Sequence, residues 1–445
     1  MNITGRHSGF EAGLFMRADE LDIFDFKGLA TALDDKADYS LRRALEAVRV
    51  HLGMQVAYVS EFVEDRTYFR EVDAPGLEYV IKPGDSMPLD YVYCRHILEG
   101  RLPELMPDVL DEPFAASMPF TTDMGIRAHM SVPIKLNDGR TYGMFCCIST
   151  EPQPSLNLRD LKMMRAVAEL TAVLIGREID ATTEHRGNLE RIQKVLDHDE
   201  LSIVVQPIIR IADHRLLGFE CLSRFAGPED WTPDIWFKMA ASVGLGVELE
   251  MRAIQKGLVL LDQFPRDLYL TFNVSPDTVT SGALAHAIAR KHAKRVVVEI
   301  TEHASVDDYD ALCSALNELR VNGIRLAVDD AGAGYASLRH ILALQPDIIK
   351  LDISLTHNIQ DDLARNALAA ALVHFGRETK SQILAEGVET AVELEALRKL
   401  GVGTAQGYFL GRPMHPGDAM ALVERLSIAT SPLPQRLLRS ASATK

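Results

Sequence analysis

Arg295-Val296-Val297-Val298-Glu299-Ile300, the stretch Asp308–Val321, and Ile324-Arg325-Leu326-Ala327-Val328-Asp329-Asp330 together decide the fold. The outer two runs are short and β-rich, and the stretch between them has helical spacing. Strand, helix and strand in succession predict a parallel pair joined by a crossover helix.

The same alternation extends in both directions. Further β-rich runs lie at Ile203–Ile209, Leu268–Asn273, Asp347–Lys350, Gln382–Glu386 and Thr404–Gln406, with helical stretches at Glu248–Gln263 and Leu363–Arg377. The span from Ser202 to Leu426 has the size of an α/β barrel of the TIM type, (β/α)8. The strand-like runs end in Asn273, Glu299, Asp329-Asp330, Lys350, Glu386 and Gln406. In a barrel these ends converge on one face, where active sites sit. So many carboxylates in one place are costly unless cations neutralise them, which predicts a metal site. Oxygen-rich ligands without Cys or His favour Mg2+ or Mn2+ over zinc. Two chemistries remain open on this pattern. An enolase-type barrel uses carboxylate-held Mg2+ with a Lys base, whereas a two-metal phosphodiesterase uses a pair of ions about 3.5–4 Å apart. The adjacent Asp329-Asp330 supports the second, because one carboxylate can bridge two ions while its neighbour completes the other.

The chain has 445 residues, 63 acidic and 47 basic, for a formal net charge of −16. That balance argues against a nucleic acid polymer or an anionic membrane as partner, and an anionic substrate would call for metal ions. Its length predicts two or three domains. No apolar run approaches the roughly 18 residues of a membrane span, and the first residues lack the pattern of a secretory signal. Cys94, Cys146, Cys147, Cys221 and Cys313 are odd in number and lack metal-site spacing. Reduced thiols and a cytoplasmic location are expected.

In the first half, residues 1–37 read as an N-terminal arm. A helix follows with Leu41, Leu45, Val48 and Leu52, then strand-like runs at Gln55–Val63 and Thr67–Val72. Two more, His129–Leu136 and Thr141–Ser149, flank Asn137-Asp138-Gly139-Arg140, a hairpin signal. A long helix starts at Asn157, a good N-cap, and runs to about Asp180. Met163, Val167, Leu170 and Leu174, and then Leu189, Ile192 and Leu196, fit either a short dimeric coiled coil or packing on the parent domain. Cys94, His96 and the Cys146-Cys147 pair are read as core residues. With Gly84-Asp85-Ser86, Cys94-Arg95-His96, Pro103 and Pro107-Asp108, the arrangement resembles a GAF domain. The resemblance implies an α+β sensor with an antiparallel sheet over residues 38–180. It also implies a small ligand, which the sequence does not identify. Neither the Asn-Lys…Phe…Asp-Glu pattern of cyclic-nucleotide GAF domains nor the Cys-His pair of bilin-binding ones is present. A linker or signalling helix is expected over 181–200, the barrel over 201–430 and a flexible tail over 431–445.

In the second half, Gly218-Phe219-Glu220-Cys221-Leu222-Ser223-Arg224 resembles the signature of the EAL domain, a family that hydrolyses cyclic di-GMP to linear pGpG. Val205-Gln206-Pro207-Ile208, Asn273-Val274-Ser275-Pro276, Val298-Glu299-Ile300-Thr301-Glu302, Asp329-Asp330, Lys350-Leu351-Asp352, Glu386-Gly387-Val388-Glu389 and Gln406-Gly407-Tyr408-Phe409 follow in family order. The resemblance implies that Glu220, Asn273, Glu299 and Asp329 hold one Mg2+ or Mn2+. Asp329, Asp330 and, through water, Glu386 serve a second. Lys350 orients the attacking water, Glu386 is the general base and Glu389 supports them. Glu302 anchors the loop after Asp330. Arg224 clamps phosphate, and Gln206, Pro207, Leu222, Asp352, Gln406 and Pro413 line the substrate site. The resemblance also implies a homodimer. Cys221 stands for the usual Ala, a packing change. Ala331 stands for the usual Phe in the loop between dimer interface and metal site, which leaves open a catalytically weak receptor or interaction module. His303 reads as a polar loop residue. No Gly-Gly-Asp-Glu-Phe motif is present, so synthesis of the messenger is not expected.

Overall fold

A computed structural model describes residues 37–430 apart from 229, 289, 301–305, 307 and 332–334. The expected N-terminal arm, the tail from Ser431, Glu302 and His303 therefore lie outside the described residues. The chain divides into two compact units between Glu184 and His185. Among the described residues no helix is long and apolar enough to cross a membrane.

The first unit is built on six antiparallel strands: β1 (Val56–Val63), β2 (Arg66–Asp73), β3 (Ser86–Pro88), β4 (Leu105–Met106), β5 (Ala128–Lys135) and β6 (Thr141–Ser149). Their spatial order is β3-β2-β1-β6-β5-β4. The predicted hairpin joins β5 to β6, with Gly139 at φ +85° and Gly139 N–H donating to Leu136 O. Alternation along the strands separates two cores. Ala57, Val59, Met130, Val132, Phe145 and Cys147 meet Leu41, Leu45 and Val48 of the helix Ala37–Leu52, together with Met164 and Val167 of the helix Leu158–Asp197. Tyr58, Phe69, Met144 and Cys146 face the short helix Tyr93–Leu98, with Tyr93 and Cys94. Cys146 and Cys147 therefore point to opposite faces and are both core residues, as is Cys94. Each fully buried aliphatic side chain contributes about 1.5–3 kcal/mol.

The helix Leu158–Asp197 begins as expected, with Asn157 Oδ1 accepting from Arg159 N–H at 2.8 Å. It runs 40 residues, past the expected end near Asp180, as no proline interrupts residues 158–197. Part of its apolar rhythm packs locally, with Val167 buried in the first unit and Ile192 and Leu196 in the second. Leu170 and Val173 stay exposed.

His129 on β5 is 1% exposed, its ring lies against Tyr93, and its Nδ1 finds no partner among the described residues. Burial depresses its pKa to about 3. An unfolded chain binds this proton near pH 6.5 and the folded unit only near pH 3, so stability present above about pH 6.5 is lost as pH falls through that window. We expect His129→Phe to flatten the loss of melting temperature between pH 6.5 and 4.5. An unchanged pH profile would count against this origin.

The second unit is a closed eight-stranded barrel, ordered β10-β11-β12-β13-β14-β7-β8-β9. Its strands are β7 (Leu201–Arg210), β8 (Leu216–Phe225), β9 (Tyr269–Asn273), β10 (Val296–Ile300), β11 (Arg325–Ala331), β12 (Ile348–Leu351), β13 (Gln382–Ala385) and β14 (Thr404–Ala405). One expectation needs correcting, because the strands are not all parallel. β7 runs antiparallel to both β8 and β14. The connection from β7 to β8 is only residues 211–215, too short for a crossover helix, so the chain turns back as a hairpin.

Inside the barrel, Ile208, Val297, Ala327, Ile348 and Leu384 form an apolar floor. Inward side chains recur every second residue, about 6.6 Å further along a strand. One such step carries the chain from these positions to Gln206, Glu299, Asp329, Lys350 and Glu386. The period of two that seals the bottom of the barrel thus also loads its mouth with polar groups.

Candidate functional site

Lys350 is the hub of the mouth. It is 1% exposed, and its Nζ lies 2.7 Å from Glu299 Oε2, 2.8 Å from Glu386 Oε1, 3.0 Å from Asp329 Oδ2 and 3.5 Å from Glu220 Oε1. Burial alone would disfavour its charge, but these carboxylates outweigh burial and hold its pKa well above the ordinary lysine value. Burial raises the Glu299 carboxyl to about 8 against the opposing pull of Lys350, and it raises Glu386 well above the carboxylate range. One ammonium cannot neutralise four carboxylates in a site of low dielectric.

The oxygens fall into two groups that share a member. Single oxygens of Glu220, Glu299 and Asp329 lie within 4.8 Å of one another, as do those of Asp329, Asp330 and Glu386. Consecutive strand residues normally face opposite ways. Here Val328 pairs with Ile349 and Ala331 with Leu351, so the Asp329-Asp330 step carries one extra residue opposite Lys350. Asp330 takes the left-handed conformation at φ +57°. This bulge re-aims the chain so that both carboxylates serve one cavity.

Amide groups complete the rim. Asn273 Nδ2 donates to Glu220 Oε1 at 3.2 Å. Gln406 Nε2 donates to Gln206 Oε1 and to Glu220 Oε2, while its own Oε1, fully buried, has no partner among the described residues. Gln206 reaches this group because the reversed β7 sets it directly opposite Glu220, and its Nε2 donates to Gly411 O at 3.0 Å. Surplus negative charge, an oxygen-only carboxylate set and an orphaned carbonyl oxygen together fit hard divalent cations.

The other expected residues are placed less tightly. Leu222, Arg224, Asn273 and Asp330 line a cavity of about 740 Å3 at the mouth. Arg224 is exposed there, and its guanidinium donates to Ser223 O at 2.7 Å. Asp352 caps the turn Ile353–Thr356 through Ser354 N–H at 2.8 Å, and Pro413 is half-buried. Pro207 is buried beneath Gly411. Glu389 is exposed, and its backbone N–H donates to Glu393 Oε2 at 2.9 Å. Cys221 is buried in the barrel core, where a Cβ on Gly257 would sit 3.2 Å from its sulfur. Ala331 is also fully buried.

Two acids were not legible as site residues. Glu250, on the helix Gly246–Leu258, accepts from Ser275 N–H at 2.8 Å and Ser275 Oγ at 3.0 Å, and so fixes the turn that presents Asn273. Burial raises its pKa. Glu393 accepts from the N–H groups of Asn358, Glu389 and Thr390. The signal for Glu250 is an acid beside Leu249 and Met251 on an inward helix face, and for Glu393 a Thr390-x-x-Glu393 capping box.

A family model described as the EAL domain matches residues 189–413, just over half of the chain, and one described as the GAF domain matches residues 39–175. An uncharacterized signaling protein of Caulobacter vibrioides is 29% identical over 337 residues, 73% of this chain and 39% of that protein. The bifunctional diguanylate cyclase/cyclic di-GMP phosphodiesterase MucR of Pseudomonas aeruginosa is 29% identical over 250 residues, 53% of this chain and 36% of that protein. The chain thus spans little more than a third of these curated relatives. Among solved structures, the EAL enzyme Bd1971, in a form bound to cAMP and cyclic-di-GMP, aligns over 83% of this chain and 93% of its own, with 17% identity and a TM-score of 0.52. That likeness is one of fold.

Proposed function

This chain belongs to the EAL-domain family and carries a GAF domain ahead of its barrel, and from that premise we propose that it is a metal-dependent phosphodiesterase opening cyclic di-GMP to linear pGpG. The observation that carries the proposal is the pair of carboxylate groups joined through Asp329 around Lys350. Glu220, Asn273, Glu299 and Asp329 would hold one ion, and Asp329, Asp330 and Glu386 the other, as Mg2+ or Mn2+. When bound, such ions acidify water and neutralise charge on the phosphodiester. Glu386 accepts the proton of the attacking water, and Lys350 keeps that carboxylate aimed. Arg224, whose planar fork fits two phosphate oxygens, holds the diester at the cavity wall. Gln206, Asp352 and Pro413 lie against the guanine bases, Pro207, Leu222 and Gln406 line the rest of the substrate site, and Glu389 supports the metal and proton-transfer groups. Glu302 keeps its role as loop anchor within the proposal. The GAF domain would sense a small ligand and tune a homodimeric barrel, and cytoplasmic placement accords with cysteines that form no disulfide.

The test is incubation of the purified full chain with cyclic di-GMP and Mg2+ or Mn2+, with the products separated by chromatography. Linear pGpG is expected with metal and none in EDTA. A folded protein that yields no product with either metal overturns the proposal, and tight binding without product would assign the receptor role that Ala331 leaves open.

A further inference from the structure

A second concavity lies at the pole of the barrel opposite the carboxylates. Its volume is about 500 Å3, within the range of small-molecule sites. Arg210 ends the reversed β7 there, while Leu217, Gln382 and Thr404 stand at the beginnings of β8, β13 and β14, so the whole rim belongs to the far end of the strands. The chain carries a net charge of −16, yet this lining contains two arginines and no carboxylate. Arg377 makes no ion pair with a carboxylate among the described residues, and Arg210 meets only Asp213, loosely, at 3.6 Å on the surface.

The backbone keeps the concavity open. Gly401 adopts φ +89°, a left-handed backbone that favours glycine, and a Cβ there would sit 2.5 Å from Arg377 Nη2, so the guanidinium lies directly across this turn. Gly403, two residues on, has nothing within 4 Å of its ideal Cβ. Thr404 pairs with Arg210 across the β14–β7 ladder, which brings the second guanidinium to the same turn. Between the two arginines Leu217, Val373 and Ile383 form an apolar wall, with the exposed Gln382 beside them.

Two guanidinium groups in the lining of one concavity that contains no carboxylate make it attractive to anions, and guanidinium forks match the oxygens of a phosphate. We propose that this pole is a binding site for a small phosphate-bearing anion, clamped by Arg210 and Arg377, with any organic body resting on the apolar wall. The site is separate from the metal-binding end and does not depend on the hydrolytic function.

Calorimetry on the full-length protein in EDTA, with GMP, guanosine and inorganic phosphate as probes, tests it without reading turnover. GMP is expected to bind and guanosine not to. Arg377→Ala and Arg210→Ala should each weaken GMP binding by about tenfold or more, as expected for loss of a charge-assisted contact. Gly403→Leu, which fills the cavity where space is free, should abolish binding with the melting temperature kept. Inorganic phosphate binding as well as GMP supports the clamp and identifies the free ion as sufficient; GMP binding better supports the wall as well. No binding of either phosphate probe, equal binding of guanosine, or GMP binding that survives all three substitutions overturns the proposal, the last by placing GMP elsewhere.

Discussion

Glu386→Gln is expected to lower turnover of cyclic di-GMP by about 10²- to 10⁴-fold, the range general-base catalysis supplies, while leaving the melting temperature nearly unchanged. The amide keeps the shape of the carboxylate, so the apolar floor and the strand register of β13 stay intact. It cannot take a proton from water. It also removes a carboxyl group whose charge burial and its acidic neighbours already disfavour in the metal-free protein. Initial rates at saturating Mg2+ or Mn2+, with circular dichroism as the control for fold, give the answer. A variant within about threefold of the parent would mean that proton transfer happens elsewhere.

Lys350→Met should act in the opposite way, on stability first. The side chain is 1% exposed and within 3.0 Å of three carboxylates. Methionine fills the volume but leaves Glu299, Glu386, Asp329 and Glu220 facing one another without a counter-charge. Breaking a buried ion pair from one side costs about 3–5 kcal/mol, which for a domain of this size corresponds to a melting temperature lower by roughly 6–20 °C. The loss should be largest in EDTA and smaller in millimolar Mg2+, because a divalent ion restores positive charge where the ammonium was. A scan with and without the ion measures both. Equal melting in EDTA would show that the carboxylates are already neutral through protonation.

How much of this is legible in the sequence depends on the kind of signal. The strand ends are legible because a barrel aligns them, so the residue type closing each apolar run is enough to identify Asn273, Glu299, Asp329, Lys350 and Glu386. Direction is not legible in the same way: Ile203–Ile209 reads as a buried strand whichever way it runs, and β8 is read there as a motif and not as a strand. The informative signal is the short Asp213-His214-Arg215 turn, where His214 sits at φ +53°. Adjacency at Asp329-Asp330 suggests a shared carboxylate, but the bulge that turns both side chains inward depends on pairing with Lys350. The central position of Lys350 is equally invisible, because charge geometry across four strands has no linear spacing. Glu250 is hidden for a related reason, as its partner Ser275 lies on a different element.

The reversed β7 also bears on how modules can be joined to this barrel. Leu201 pairs with Phe225 and Ser202 with Arg224, so β7 begins at the rim that holds Arg224. In an all-parallel barrel it would arrive at the opposite pole. Arg191, ten residues upstream of Leu201, already stacks over Trp231, in the segment following that rim. A chimera that exchanges everything before Leu201 therefore also replaces this contact on Trp231, two residues before the Pro233 that lines the mouth.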